Sequence, residues 1–250
     1  MLAAERRDHL LATLRRDGKI VAKDIAAQLG LSEDSIRRDL RDLAADGLCQ
    51  RVYGGAVPVS PAVADYAGRT LIGAEGKQRV AAAAVRLIDP GSTVILDGGT
   101  TALAIAGLLP PSLECTIVTH SPTVAAALID HPRVDVFILG GRLFKHSAVA
   151  SGAAAVEAAQ RVAADLFLLG VTGVHPDAGL TTGDPDEAAM KRALACRAAD
   201  TYVLGSAEKI GTASPFTVLD FAEVSGVITD ADPTTDTMRL LAERVRLLPA

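Results

Sequence analysis

Residues 31–56 constrain the fold more than any other part of this 250-residue chain. Ser32 follows a Gly30-Leu31 break and is a favourable N-cap residue, so a helix is predicted to begin there. The apolar positions of this helix recur at i, i+4 and i+7 and form one stripe for a core: Ile36, Leu40 and Leu43. On a helical wheel of about 100° per residue, the face roughly opposite that stripe carries three arginines: Arg37, Arg38 and Arg41.

The arginine face has two interpretations. A guanidinium fork binds a phosphate or the O6/N7 edge of guanine through two parallel hydrogen bonds, which suits a helix that reads DNA. Charged exposed faces are also ordinary, and Asp34, Asp39 and Asp42 could pair with the arginines on a solvated surface. The flanking sequence favours the first interpretation.

The flanks predict the remaining parts of a winged helix-turn-helix. Residues 3–17 and 22–29 predict two helices, and residues 20–21 form a short apolar link that suits a strand. Gly30 permits the sharp turn between the second helix and the arginine helix. After that helix, Gly54-Gly55 permits a tight hairpin, which would be the wing.

We therefore expect a DNA-binding domain over residues 1–58, with its helix-turn-helix at about residues 20–45 and double-stranded operator DNA as its partner. Arg51 and Tyr53 fall in the hairpin, where they could contact phosphates or a minor groove. The candidate DNA contacts are Lys23, Ser32, Ser35, Arg37, Arg38, Arg41, Arg51 and Tyr53.

Composition limits the alternatives. The net charge of −5 divides into +1 for residues 1–58 and −6 for the rest, so whole-domain charge does not by itself indicate DNA binding. The three cysteines are far apart and match neither a disulfide framework nor a metal pattern, which predicts a cytoplasmic protein with no metal and no cofactor. No secretory signal and no long apolar run is present, so no membrane association is expected.

The remaining chain predicts a linker and a second domain. Residues 59–74 contain Pro61 and Gly68 and show no clear period, so they are interpreted as a linker. Residues 75–250 alternate short apolar strands with amphipathic helices, which predicts a mostly parallel sheet covered on both faces. The predicted class is α/β, with an N-terminal winged helix-turn-helix followed by a larger effector-binding domain.

Residues 97–101, Asp-Gly-Gly-Thr-Thr, follow a predicted strand and open a predicted helix. Exposed backbone N–H groups, two hydroxyls and a helix N-terminus favour an anion there. The stretch matches neither the dinucleotide fingerprint nor the Walker motif, so a small phosphorylated ligand fits better than NAD or ATP. Asp97 is unsuited to phosphate but suited to a sugar hydroxyl. The alternative is an ordinary tight turn between strand and helix.

Other polar groups follow the predicted strands that come next. These are Thr119-His120-Ser121, Gly140-Gly141-Arg142 and Lys209, and a helix begins near Asp184. The carboxyl ends of parallel strands meet at one sheet edge, where ligands of such folds bind. Glu187 and Lys191 are four residues apart on that helix, and taken alone they predict a helix-stabilising ion pair. His120 is equally well interpreted as a satisfied loop histidine.

Two sets of motifs resemble the DeoR family of bacterial transcriptional regulators. SEDSIRRDLRDLAADGL followed by RVYGGAV resembles the N-terminal domain of that family, with Tyr53 where histidine is usual. ILDGGTT, IVTHS, ILGG, GLTTGDPDEAAMK, AEKIG and VITD resemble its C-terminal sensor domain in the same order. The resemblance implies a fold similar to ribose-5-phosphate isomerase and binding of a phosphorylated sugar or a related metabolite.

Carried over by position, the resemblance implies an effector pocket. Its residues are Asp97, Gly98, Gly99, Thr100, Thr101, Thr119, His120, Gly141, Asp184, Glu187, Lys191 and Lys209. Gly98 stands where serine is frequent and His120 where asparagine is common, so the ligand chosen by this chain can differ. Arg69 and Lys77 also match residues usual in the family.

The function expected from the resemblance is that of a transcriptional regulator and not an enzyme. We expect a repressor of a sugar or carbohydrate operon that acts as a homo-oligomer, a dimer or tetramer, and responds to a phosphorylated sugar. One alternative is a phosphosugar isomerase fused to a DNA-binding module, with Glu187 as base. Another is a DNA-bound structural protein with a vestigial pocket.

Overall fold

The computed structural model describes residues 2–250, with the backbone alone at Val63. Its N-terminal part packs helices against a three-stranded antiparallel sheet. The elements are α1 (Ala3–Asp17), β1 (Ile20–Val21), α2 (Ala22–Leu29), α3 (Glu33–Ala45), β2 (Gln50–Val52) and β3 (Gly55–Val57). The predicted winged helix-turn-helix is thereby confirmed.

Local signals explain these elements. Ser32 caps α3 by accepting a hydrogen bond from the Ser35 N–H at 3.3 Å. Gly30 ends α2 in the left-handed region at φ 64°, which permits the turn. Gly55 lies so close to β1 that a Cβ atom would stand 1.7 Å from the carbonyl oxygen of Ile20. The wing therefore requires glycine where β3 pairs with β1.

The larger part of the chain begins with a 3₁₀ turn at Pro61–Val63 and continues as α4 (Tyr66–Leu71), α5 (Ala74–Val85), β4 (Thr93–Leu96), α6 (Thr100–Leu108), β5 (Cys115–Thr119), α7 (Pro122–Ala127), β6 (Val134–Ile138), β7 (Arg142–Phe144), β8 (Val149–Ser151), α8 (Ala153–Ala159), β9 (Ala164–Gly170), β10 (Gly173–His175), β11 (Gly179–Thr182), α9 (Pro185–Ala195), β12 (Ala198–Leu204), β13 (Phe216–Leu219), β14 (Gly226–Thr229), α10 (Asp236–Ala242) and β15 (Leu247–Pro249). Further 3₁₀ turns cover Ala207–Lys209 and Phe221–Glu223.

A seven-stranded parallel sheet forms the centre of this part, in the order β15-β14-β12-β9-β4-β5-β6. Successive residues of its strands face opposite sides. Leu96 and Leu168 belong to the core shared with α5, α6 and α7, whereas Ile95 and Phe167 belong to the core shared with α8, α9 and α10. Burial on both faces explains why the strands are continuously apolar, and it confirms the predicted α/β class.

The strand order places a crevice between β4 and β9. From β4 the chain proceeds outward to β5 and β6, and from β9 it proceeds in the opposite direction to β12, β14 and β15. Helices on either side of such a reversal point leave room at the carboxyl ends of the two central strands. The loops after β4 and β9 therefore form the expected location of a ligand site.

Residues 59–74 contain regular structure that the sequence interpretation as a linker did not include. Ser60 Oγ donates to the carbonyl oxygen of Thr172, and Tyr66 Oη lies 3.0 Å from Thr123 Oγ1. The segment is therefore packed against the α/β part of the chain, and the domain boundaries near residues 58 and 75 stay a prediction. In the described residues, no helix has the length and apolarity needed to cross a membrane.

Candidate functional site

Two aspartates of α3 are held by arginines of α1. Arg6 binds Asp39 through two hydrogen bonds, one of them 3.0 Å from Nη2 to Oδ1, and Asp39 is buried. Arg7 Nη2 donates to Asp42 Oδ2 at 2.5 Å. The interpretation in which these aspartates neutralise the arginine face of α3 is therefore wrong, because their partners come from another helix.

The arginines of α3 are consequently available for an external anion. Arg38 and Arg41 are exposed, and within residues 2–250 neither forms an ion pair. Arg37 is exposed as well but pairs with Glu33 one turn earlier, at 2.8 Å. An exposed i,i+4 pair of this kind contributes only about 0.3–0.5 kcal/mol, so a phosphate can displace it.

A groove lies between α3 and the wing. Lys23, Arg37, Arg51 and Tyr53 line it together with Glu33. Tyr53 is fully exposed at the hairpin tip, where Gly54 takes a left-handed φ of 80°. Four of the predicted DNA contacts are thus brought to one groove, Arg38 and Arg41 lie on the adjacent face of α3, and Ser32 and Ser35 lie at its N-terminus, where their hydroxyls are 2.9 Å apart.

A candidate anion-binding cradle lies at the reversal point of the sheet. Gly98, Gly99, Thr100 and Thr101 line a cavity at the N-terminus of α6, where free backbone N–H groups and the helix dipole favour negative charge. Thr101 Oγ1 is buried and has no hydrogen-bond partner among the described residues. A buried hydroxyl without a partner is uncommon, and a ligand oxygen would satisfy it.

Gly98 has a steric explanation. A Cβ atom at this position would stand 2.1 Å from Val149 Cγ1, so serine does not fit without movement of β8 or a different side chain there. The side chain of Val149 therefore explains why this chain has glycine at residue 98, where the family often has serine.

Four cationic side chains surround the cradle. Arg69 comes from α4, Lys77 from α5, Lys191 from α9 and Lys209 from the turn after β12. Burial lowers the pKa of Arg69, Lys77 and Lys209, for Lys209 to about 8, because each charge is removed from water. The carboxylates that share the lining are Glu187 and Glu208. The lining therefore carries an excess of positive charge that an anion would stabilise.

Asp97 holds the floor of this site together. It is fully buried, and its Oδ2 accepts from Lys191 Nζ at 2.6 Å and from the Gly170 N–H at 2.8 Å. Its Oδ1 accepts from the Gly98 N–H at 2.8 Å and lies 2.7 Å from His120 Nε2. Burial alone would raise the pKa of Asp97, but the charge of Lys191 and the His120 contact outweigh it and lower the pKa well below its usual range. Asp97 thus joins β4, β9 and α9.

His120 is part of the same buried network. Its Nδ1 lies 2.8 Å from the carbonyl oxygen of Ala150, and its Nε2 faces ionised Asp97. Both ring nitrogens therefore have a partner among the described residues. The interpretation of His120 as a satisfied histidine fits this arrangement.

Glu187 and Lys191 do not form the ion pair predicted from their spacing. Lys191 turns to Asp97, while Thr182 Oγ1 donates to Glu187 Oε2 at 3.5 Å. Both Glu187 and Lys191 are buried and line the cavity. The i,i+4 pattern was misleading because Lys191 instead donates to a buried aspartate that follows β4.

The predicted effector residues fall into three groups in the described structure. Those that line the cavity are Gly98, Gly99, Thr100, Thr101, Glu187, Lys191 and Lys209. Asp184 lines an adjoining recess and caps α9 by accepting from the N–H groups of Asp186 and Glu187. Four others do not line the cavity: Asp97, Thr119 and His120 are fully buried and bonded internally, and Gly141 is exposed.

The sequence interpretation missed several residues that line the cavity. Arg69 and Lys77 match residues usual in the family but are not among the residues predicted for the pocket, and the sequence has no separate signal for Ser147, Thr172, Thr182 and Glu208. Arg69 is also exceptional in its bonding. Its Nε is buried and has no hydrogen-bond partner among the described residues.

Comparisons with known proteins agree with both parts of the chain. The model of the DeoR-like helix-turn-helix domain matches residues 6–62, and that of the DeoR C-terminal sensor domain matches residues 73–231. The putative aga operon transcriptional repressor of Escherichia coli is 31% identical over 94% of this chain and 89% of its own length. The HTH-type transcriptional repressor GlcR of Bacillus subtilis is 30% identical over 93% and 90%.

A third relative extends the comparison. The HTH-type transcriptional regulator GlpR of Haloferax volcanii is 33% identical over 94% of this chain and 93% of its own length. Among solved structures, ribose 5-phosphate isomerase A of Methanocaldococcus jannaschii is 16% identical over 51% of this chain and 50% of that one, with a TM-score of 0.37. That structural similarity is too low to bear on activity.

A winged helix with exposed arginines, joined to an α/β domain, defines a class of DNA-binding regulator. Family matches to both halves and the relatives named above place the chain among transcriptional repressors rather than enzymes. The chain belongs to the DeoR family.

Proposed function

We propose that this protein represses a carbohydrate-metabolism operon and that a phosphomonoester bound in the cavity changes its affinity for operator DNA. One observation carries the proposal. Two buried side-chain donors of the sensor part, Thr101 Oγ1 and Arg69 Nε, have no partner among the described residues, and both line the same cavity. A ligand rich in acceptor oxygens would satisfy both.

Charge narrows the ligand class. The lining has two more cationic side chains than carboxylates, and one of these cations, Lys191, is paired with ionised Asp97 beneath the cavity, so an anion neutralises the remaining positive charge better than a neutral sugar does. A phosphomonoester carries about −1.5 to −2 charges at neutral pH and three acceptor oxygens. Glu187 can then accept from a sugar hydroxyl, and the Thr182 hydroxyl can accept from or donate to one, since both residues line the cavity. A relative from Escherichia coli, 27% identical, is named the glycerol-3-phosphate regulon repressor, which supports the same class.

The coupling between the two sites is reciprocal. If the phosphomonoester weakens operator binding by a given factor, operator DNA weakens phosphomonoester binding by that factor, with typical coupling of about 1–3 kcal/mol. Winged helices read operator half-sites related by a two-fold axis, so we propose that a homo-oligomer, a dimer or tetramer, binds the operator.

A titration of labelled promoter DNA tests the proposal. The full chain should bind its own promoter fragment at least about tenfold more tightly than a shuffled fragment, with two or four chains per operator. Glycerol 3-phosphate or glucose 6-phosphate should change that affinity, whereas glycerol and glucose should not. Equal binding to both DNA fragments, or equal effects of the phosphorylated and plain compounds, would contradict the proposal.

The lowered pKa of Lys209 predicts how binding of a phosphomonoester depends on pH. Burial lowers the pKa of Lys209 in the folded protein to about 8 from 10.5. The buried charge therefore destabilises the folded state fully below pH 8. This destabilisation is lost as pH rises from 8 to 10.5, because the lysine is then neutral in the folded state. A bound dianion favours the charged lysine. Affinity for inorganic phosphate should therefore fall as pH rises above 8, by up to about tenfold per pH unit.

Calorimetry at pH 7.5 and 9.5 measures this dependence. Lys209→Met should bind inorganic phosphate more weakly at pH 7.5 and lose most of the pH dependence above 8. A dissociation constant of the unmodified protein that stays the same at the two pH values would refute the assignment of Lys209 to the anion site.

A further inference from the structure

The segment 58–72 joins the wing to the cavity, and we call it the strap. It begins directly after β3, and the Ala213 N–H donates to the carbonyl oxygen of Pro58 at 3.4 Å. Ser60 Oγ donates to the carbonyl oxygen of Thr172, which itself lines the cavity. Ala62 lines the cavity as well. The strap is therefore docked on the ligand site at one end and continuous with the DNA-contacting hairpin at the other.

Arg69 is the charged residue that the strap contributes to the cavity. Its Nη2 donates to the carbonyl oxygen of His146 at 2.8 Å, and its guanidinium carbon lies 5.9 Å from the centre of the Tyr66 ring. Its Nε is the buried donor without a partner among the described residues. Lys77 Nζ donates to the carbonyl oxygen of Arg69 at 2.5 Å, which fixes the backbone of α4 against the cavity.

The contact at His146 lies in the turn that joins β7 to β8. Ala148 in this turn has a φ of 53°, the left-handed region that residues with a Cβ atom rarely adopt. The carbonyl oxygen of Ala148 accepts from Ser121 Oγ at 3.3 Å. Arg69 is thus held on one side by a backbone carbonyl of a strained turn, a neutral partner that a charged ligand group would outcompete.

We propose that Arg69 binds the anionic group of the effector and that the strap transmits this contact to the wing. The inference rests on the proposed function and names the residue through which the two sites are coupled. A phosphate accepts two parallel hydrogen bonds from a guanidinium, so it would engage Nε and draw Arg69 from His146. The strap is one short covalent segment, so its displacement changes the position of the hairpin β2–β3. Arg51 and Tyr53, which belong to this hairpin, move with it.

Lys209 provides the contrast. It also lines the cavity, but it belongs to the turn Ala207–Lys209 inside the sensor part, and its Nζ donates to the carbonyl oxygen of Leu204 at 3.0 Å. Its loss removes charge from the anion site without touching the strap. Arg69 and Lys209 are therefore expected to differ in coupling even where both weaken ligand binding.

The experiment measures a coupling ratio on the full chain. This ratio is the operator dissociation constant at saturating glycerol 3-phosphate divided by the constant without it, and inorganic phosphate serves as a second probe. The unmodified protein should give a ratio that differs from 1 by about tenfold or more. Arg69→Met should still bind the probes, more weakly, with a ratio close to 1. Lys209→Met should need higher probe concentrations but reach the ratio of the unmodified protein.

Hydrogen exchange gives a second readout that does not depend on DNA. Glycerol 3-phosphate should change amide exchange in the strap and in residues 50–57 of the unmodified protein, and these changes should vanish in Arg69→Met. If Arg69→Met folds poorly, Arg69→Lys decides the question, because it keeps the charge but loses the planar fork and should lower the coupling.

The outcomes distinguish failure of the role assigned to Arg69 from failure of the proposed function. A wild-type coupling ratio in folded Arg69→Met or Arg69→Lys overturns the role of Arg69 and leaves the proposed function intact. An unmodified protein that responds to neither probe overturns the phosphomonoester proposal and the inference that rests on it.

Discussion

Replacing Arg38 and Arg41 together by alanine is expected to weaken operator binding on the order of 100-fold or more. Each bidentate guanidinium contact to a base contributes about 1–3 kcal/mol, and each lost phosphate contact lowers the salt dependence of binding by about one unit. Both side chains are exposed and form no ion pair in the described part of the chain, so the folded state should lose little stability. Fluorescence anisotropy at several salt concentrations measures both quantities.

A matched control separates specific contacts from net charge. Arg15 and Arg16 lie exposed in the last turn of α1, so Arg15→Ala combined with Arg16→Ala removes the same formal charge elsewhere on the domain. This control should change operator affinity only a few-fold. Equal losses in the two double variants would mean that α3 contributes only charge to binding. Its arginines would then be ordinary solvated surface residues.

The fold was largely predictable because its signals are local. The Ser32 cap, the Gly30 turn and Gly54 at the tip of the wing each act within a few residues, and apolar strands alternating with helices determine an α/β class. The short hairpin β7–β8 and the strands β10, β11 and β13 were not predicted. They have three or four residues each, too few to show a period: β7 pairs with β8 and β10 with β11 over short turns, while β13 pairs with the more distant β11.

The functional surfaces were predictable in kind but not in detail, because the decisive contacts span long stretches of sequence. Asp39 is separated from Arg6 by 33 positions, so the sequence could not show that α1 frees the arginines of α3. Lys191 is separated from Asp97 by 94 positions. The spacing of Glu187 and Lys191 instead predicted a pair that the fold does not form.

Arg69 shows a different limit. Proline and glycine on either side of it predict a linker, and nothing in the local pattern places its guanidinium against a cavity. The signal that identifies it is a buried donor left without a partner in the described residues, which only three-dimensional packing creates. A residue that acts between two domains is therefore the kind that sequence interpretation most easily misses.

Asp97→Asn is expected to destabilise the sensor part by about 3–5 kcal/mol at neutral pH, the range found when one partner of a buried ion pair is removed. Asp97 accepts from Lys191, Gly170 and Gly98 and contacts His120. An amide has one acceptor oxygen and an NH₂ group, so a donor would face a donor, and the buried charge on Lys191 would lose its counter-ion. Urea unfolding monitored by circular dichroism measures the loss.

The difference in unfolding free energy between the unmodified protein and Asp97→Asn should depend on pH with a defined sign. The pKa of Asp97 is lowered in the folded state, so the carboxylate stabilises the fold above its unfolded value of 3.8, and the contribution is lost as pH falls through the folded pKa. The free energies of unfolding of the two proteins should therefore converge below about pH 4 and differ most near neutrality.

Asp184→Asn is the matched control, because it makes the same chemical change beside the same cavity. Asp184 caps α9, and asparagine caps helices about as well as aspartate, so its cost should be less than about 1 kcal/mol. Adding Lys191→Met to Asp97→Asn should recover part of the loss, since it removes the unpaired cation. Equal stability of Asp97→Asn and Asp184→Asn would show that the buried carboxylate does not organise the floor of the site.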